Sequence, residues 1–117
     1  MNFDNNIPIY IQIVNRLKID IISGKLVLGE RLSSVRDLAL LYKVNPNTIQ
    51  KALAELEDLK LIYTERTNGK FVTNDKKLVD KYKKKYADDL VKTFFSSMED
   101  IGFNKEDATN YLMKGDK

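Results

Sequence analysis

Asn47, Thr48 and Gln50 lie within four residues of one another, and their side chains suit contact with the edge of a base. Asn and Gln amides can form paired hydrogen bonds with adenine, and the Thr methyl can meet a thymine methyl. Asn45 and Pro46 just precede them, a favoured cap followed by the residue favoured at the first helical position. The free N–H groups of such a helix start, with its dipole, attract phosphate oxygens. No basic side chain falls between Val44 and Gln50, so positive charge has to come from either side. Arg31, Arg36, Lys43, Lys51, Arg66 and Lys70 flank the segment. Arg36 is the strongest candidate among them, because a guanidinium one turn into a preceding helix can reach a phosphate or a guanine edge. The alternative for each residue taken singly is an ordinary solvated surface position.

Composition narrows the chemistry further. The 117 residues contain no Cys and no His, which excludes disulfides, Cys/His zinc sites, thiol nucleophiles and imidazole acid–base catalysis. Carboxylates alone offer no nucleophile–base pair here, so neither an enzyme nor a cofactor or metal is expected. With 43% hydrophobic and 32% charged residues the chain can build a core, and its net charge of +3 permits nucleic-acid binding without arguing for it. The start, MNFDNNIPIY, lacks the basic and apolar regions of a signal peptide, and no stretch approaches the roughly 20 apolar residues of a membrane span. A cytoplasmic protein without membrane contact is therefore expected.

Several elements must position these side chains. Pro8 suits the first turn of a helix whose apolar stripe is Tyr10, Ile13, Val14, Leu17 and Ile21, with Gly24 as its natural end. Ser34 and Asp37 form the start of a second helix, with Val35, Leu38, Ala39 and either Leu41 or Tyr42 facing inward. After the turn KVNP, a third helix runs to about Leu59 and buries Ile49, Ala52, Leu53 and Leu56. Val44 packs in the turn between the two. The period then changes: β-prone runs from Leu61 to Glu65 and from Lys70 to Thr73 flank TNG, in which Asn68-Gly69 is a strong hairpin signal. Lys70 would stand at the hairpin tip, where a cation can touch phosphate or enter the minor groove. The pattern describes a mainly α fold with a small β-hairpin, a winged helix-turn-helix over residues 1–75.

Residues 76–117 differ in composition. Leu78, Tyr82, Tyr86, Leu90, Phe94 and Met98 recur every four residues, and Val79, Val91 and Phe95 widen the stripe, which predicts an amphipathic helix of about six turns. Gly102 ends it, and Asn104 with Asp107 starts a short closing helix carrying Tyr111, Leu112 and Met113. An amphipathic helix attached to a completed small domain must bury its stripe, and a two-fold partner is the economical solution. Its aromatics could instead line a ligand pocket, so a small-molecule effector stays open. The lysine run from Lys76 to Lys85 is interleaved with Asp80 and followed by Asp88 and Asp89, as expected of a solvated face rather than a second DNA patch.

The segments IPIYIQIVNRLKIDIISGKL, GERLSSVRDLA and VNPNTIQKALAELEDLKLIYTERTNGKFV, in that order, resemble the GntR superfamily of bacterial transcription regulators and its small YtrA-like branch. The resemblance covers about the first 73 residues, with IGFNKEDATNYL a looser match in the tail. It implies that three helices and a wing bind operator DNA while a C-terminal dimerisation helix pair replaces a large effector domain. By the same resemblance Ser34 and Arg36 match the family's S-x-R, Asn45 to Gln50 match the recognition-helix start, and Gly69 matches the wing-tip glycine. Ser33 replaces a usual Pro, Lys43 a usual Gly and Thr67 the wing's first Gly. Many relatives carry Arg where this chain has Pro46, and some carry it where this chain has Gln50. A left-handed backbone is therefore expected at Lys43.

The expected function is a homodimeric, sequence-specific DNA-binding regulator, a repressor on a pseudo-palindromic operator. A winged-helix protein-interaction module that does not read DNA is the rival.

Overall fold

The computed structural model describes residues 2–115. The chain folds as two compact units, and the break between them falls between Lys81 and Tyr82.

The first unit holds three helices: α1 (Ile9–Ile22), α2 (Val35–Tyr42) and α3 (Pro46–Asp58). Pro8 is the cap of α1 and not part of its first turn. It donates no N–H, and its carbonyl accepts from Ile11 and Gln12. Ser34 caps α2 by accepting from the Asp37 N–H at 3.1 Å, and Asn45 caps α3 by accepting from the Asn47 N–H at 2.8 Å. Pro46 takes the first position of α3, where a missing N–H costs nothing. Between α2 and α3 the backbone reverses at Lys43, in the left-handed region at φ 58°. The Val44 N–H then reaches back to the Ala39 carbonyl, which closes α2. Lys60 adopts the same conformation after α3 at φ 65°, with Leu61 donating to Leu56. The reversal at Lys43 is the expected one, whereas nothing in the sequence signals that at Lys60.

The core lies where α1, α2 and α3 meet. Ile13, Leu17, Ile21, Leu38, Ala39, Ile49, Ala52, Leu53 and Leu56 are all buried, as their spacing requires. Val44 is half-buried. In α2 the choice between Leu41 and Tyr42 resolves to Tyr42, since Leu41 is 68% exposed. The core also holds a charge that helical periodicity does not reveal. Asp20 is buried beside Arg16, whose Nη2 lies 3.1 Å from Oδ1, though that oxygen accepts no aligned hydrogen bond. Burial, and then the Asp20 carboxylate, push the nearby Tyr42 phenol above its ordinary value.

The wing is built from β1 (Ile62–Glu65) and β2 (Gly69–Val72), antiparallel, with Ile62 opposite Val72 and Glu65 opposite Gly69. Three residues, Arg66 to Asn68, therefore form the turn, and Asn68-Gly69 is not a two-residue hairpin loop. The other edge of β2 is paired as well: Leu32 donates to Lys70, Val72 donates to Glu30, and Arg31 bridges Phe71. The link before α2 thus meets the two-stranded wing through an isolated bridge at Arg31. The paired residues, Glu30 to Leu32, are too few for a period-two signal to show.

The helix α4 (Lys76–Asp100) has 25 residues, about seven turns instead of six. Its first residues belong to the winged unit, where Val79 is buried and Leu78 half-buried. The second unit contains the rest of α4 and α5 (Lys105–Lys114). Gly102, at φ +97°, turns the chain between them, and Phe103 donates back to Met98. Asn104 caps α5 through the Asp107 N–H at 2.8 Å, and Ala108 is fully buried. No helix among the described residues is long and apolar enough to cross a membrane.

Candidate nucleic-acid interface

The start of α3 presents a polar face. Its inward residues, Ile49, Ala52, Leu53 and Leu56, fix the rotation of the helix in the core, and Asn47, Gln50 and Lys51 are thereby left exposed with Thr48 half-exposed. The Asn45 side chain is occupied in capping, so it fixes the helix end and its amide oxygen is committed to the Asn47 N–H. Ser34 serves α2 in the same way.

Arg36 stands exposed in the first turn of α2 and, among the described residues, has no hydrogen-bond or ion-pair partner. Its guanidinium carries a full charge with five donors uncommitted. Lys43 is exposed at the end of α2. Lys51 does not extend freely: its Nζ sits 4.1 Å from the centroid of the Tyr10 ring. That contact is not legible in the sequence, where Tyr10 counts only as a member of the α1 stripe.

The wing differs from expectation at its most basic point. Lys70 is not at the hairpin tip but within β2, opposite Thr64, and half-buried. Its ammonium is engaged by the Glu57 carboxylate from the end of α3 and by Thr64 Oγ at 2.8 Å. The reason is register: with three turn residues, Lys70 falls on the face that looks back at α3. The tip cation is Arg66, which is exposed. Gly69 opens β2 at φ +99°, and a Cβ there would lie 3.3 Å from Arg31 Nε. The absent side chain thus gives the Arg31 guanidinium room beside the turn of the wing.

Glu57, Thr64 and Lys70 form a brace between α3 and the wing that no sequence pattern signals. Hydrogen bonds from Lys70, then from Thr64, hold the Glu57 carboxyl below the usual glutamate range. A lowered folded-state pKa contributes stability above the unfolded value of about 4.3, and that contribution is lost as pH falls through the folded value. The group is partly exposed, so the effect is small. Glu57→Gln is expected to lower unfolding free energy at pH 7 by less than about 1 kcal/mol, the gap to wild type narrowing as the pH is taken below about 4. Urea titrations at the two pH values check it, and a gap that widens on acidification would reject the brace.

On α4 the lysine-rich side is tied to its own carboxylates four residues on: Lys76–Asp80 at 2.8 Å, Lys84–Asp88 at 2.8 Å and Lys85–Asp89 at 3.4 Å. All are well exposed, as expected of a solvated helix face. The apolar side is graded. Tyr82, Phe94, Phe95 and Met98 are half-buried within the second unit, while Tyr86, Leu90 and Val91 are exposed, as are Tyr111, Leu112 and Met113 on α5.

Known proteins are similar to this chain. The model for bacterial regulatory proteins of the gntR family matches residues 9–72. Over 105 residues the chain is 35% identical to the HTH-type transcriptional regulator YhcF of Bacillus subtilis (strain 168), spanning 90% of this chain and 87% of that one. It is 40% identical over 70 residues to the HTH-type transcriptional repressor YtrA of the same organism, across 60% of this chain and 54% of that one. A solved GntR family transcriptional regulator from Listeria monocytogenes superposes with a TM-score of 0.88 at 42% identity, covering 96% of this chain and 98% of that one.

Proposed function

Because the chain belongs to the GntR family of bacterial regulatory proteins, DNA-binding HTH transcriptional regulators and not enzymes, we propose that it is a repressor that binds a pseudo-palindromic operator as a homodimer. The observation that carries this reading is the pairing of an uncharged polar reading face on α3 with an uncommitted Arg36 on α2. Asn47, Thr48 and Gln50 meet base edges in the major groove. Arg36 contacts phosphate or guanine, and Arg31, Lys43, Lys51 and Arg66 supply phosphate contacts around them. Lys70 acts through the brace with Glu57, holding the wing at a set angle to α3. Ser34, Asn45 and Gly69 shape the backbone that presents these groups.

The repressor role draws on the likeness to YtrA, which is named a repressor. The homodimer rests on the exposed apolar stripe of α4 and α5, with Tyr86, Leu90 and Val91 at its centre and Phe94, Phe95 and Met98 beside them. Two-fold symmetry sets the recognition helices about one DNA turn apart, roughly 34 Å.

Footprinting on the gene's own upstream region, with affinity measured across salt concentrations, tests this. A protected inverted repeat and an affinity falling steeply with salt, through release of condensed counterions, are expected. A flat salt response with no protected region would favour a winged module that binds protein.

A further inference from the structure

The first turn of α1 and the exposed face of α3 enclose a groove of about 330 Å³ lined by Ile9, Tyr10, Asn47, Thr48 and Lys51. Two of these residues, Asn47 and Thr48, belong to the reading face, and the opposite wall comes from α1. Across the groove, Lys51 Nζ stands over the Tyr10 ring at 4.1 Å from the centroid. At that distance an ammonium is attracted by the negative face of the ring, and Tyr is among the better partners for such a contact. Tyr10 is itself half-buried and its neighbours Ile13 and Val14 are buried in the core, so the ring rides on a fixed element.

We infer that Tyr10 is a positioning residue for DNA binding: its ring holds the Lys51 ammonium at the mouth of this groove, beside Asn47 and Thr48, so that the charge meets a backbone phosphate next to the bases being read. A free lysine has a long flexible stem and loses much rotamer freedom on binding. A lysine already held over a ring loses less, so the ring contributes affinity through preorganisation. The pair also answers why α3 can begin without a basic residue. The cation it uses stands at its second turn and is held by α1. This inference rests on the DNA-binding reading above.

The test uses the full chain and a fluorescent duplex carrying the footprinted operator. Lys51→Ala removes the phosphate contact, so it lowers both affinity and the steepness of the salt dependence, by about one unit of slope per half-site. Tyr10→Leu keeps the lysine but not the ring. It is expected to cost about two- to fivefold in affinity per half-site, the range of an exposed cation–π contact, with the salt slope unchanged. In the Lys51→Ala background Tyr10→Leu costs nothing further, and Tyr10→Phe, which retains the ring, behaves as wild type. In the DNA-free protein the Lys51 side-chain methylene protons should show an upfield ring-current shift that Tyr10→Leu abolishes and Tyr10→Phe keeps. Additive losses from Tyr10→Leu and Lys51→Ala, or a Tyr10→Phe loss equal to that of Tyr10→Leu, would overturn the positioning role while leaving DNA binding intact. A wild-type protein that does not retain the operator overturns both readings together.

Discussion

Arg36→Ala is expected to weaken operator binding about 5- to 150-fold per half-site while leaving the melting temperature unchanged. The magnitude is that of one lost guanidinium contact to a base edge or phosphate, about 1 to 3 kcal/mol. In a symmetric dimer the loss occurs twice on each operator. Stability should be unaffected because Arg36 is exposed and, among the described residues, has neither a hydrogen bond nor an ion pair to lose. Arg36→Lys separates charge from shape: a phosphate contact survives the exchange in part, whereas a bidentate contact to guanine does not. Lys76→Ala is the control. That lysine is exposed and already paired with Asp80 at 2.8 Å, so its removal should change binding little. Anisotropy titrations at one fixed salt concentration give the comparison. If Arg36→Ala and wild type bind alike, α2 does not face the duplex and the proposed docking fails.

What the sequence disclosed, and what it withheld, follows the range of the interactions involved. Caps and reversals depend on residues no more than five apart. Ser34–Asp37, Asn45–Pro46 and Asn104–Asp107 are accordingly readable as helix starts, whereas the left-handed turn at Lys43 is expected only from the resemblance to a family with Gly there. Buried stripes were readable for the same reason, since helical period places Ile49, Ala52, Leu53 and Leu56 on one side whatever they pack against. Register was not. The second strand begins at Gly69 and not at Lys70, which moves Lys70 off the tip and onto Glu57, because register decides the face on which a strand residue points. Contacts between distant elements were also hidden. Glu57 with Lys70 spans 13 residues, Tyr10 with Lys51 spans 41, and neither leaves a periodic trace. The same limit applies to Arg31 beside Gly69, whose role as space for a guanidinium appears only once the strands are paired.

The second large effect concerns assembly. Leu90→Glu is expected to convert the protein to a monomer and to lower operator affinity about 100- to 10,000-fold, the range lost when two linked contacts become independent. Leu90 is 62% exposed in the described chain, so glutamate there removes no core contact, and glutamate is a good helix former. Any effect on folding of the single chain is therefore small, and the cost arises only where Leu90 meets an apolar partner. Two glutamates brought together across a two-fold axis would add repulsion to lost burial. Lys84→Ala, on the face tied to Asp88, should leave the assembly state unchanged. Sedimentation velocity reads the mass, and footprinting reads whether protection shrinks from two half-sites to one. A Leu90→Glu protein that remained dimeric would place the two-fold contact on the α5 residues Tyr111, Leu112 and Met113, which are also exposed. A monomer that bound as tightly as wild type would remove the dimer from the mechanism altogether. The Arg36 and Leu90 substitutions are separable because they act on different quantities: Arg36→Ala weakens each half-site and keeps the symmetry of the footprint, whereas Leu90→Glu keeps each half-site contact and removes the symmetry.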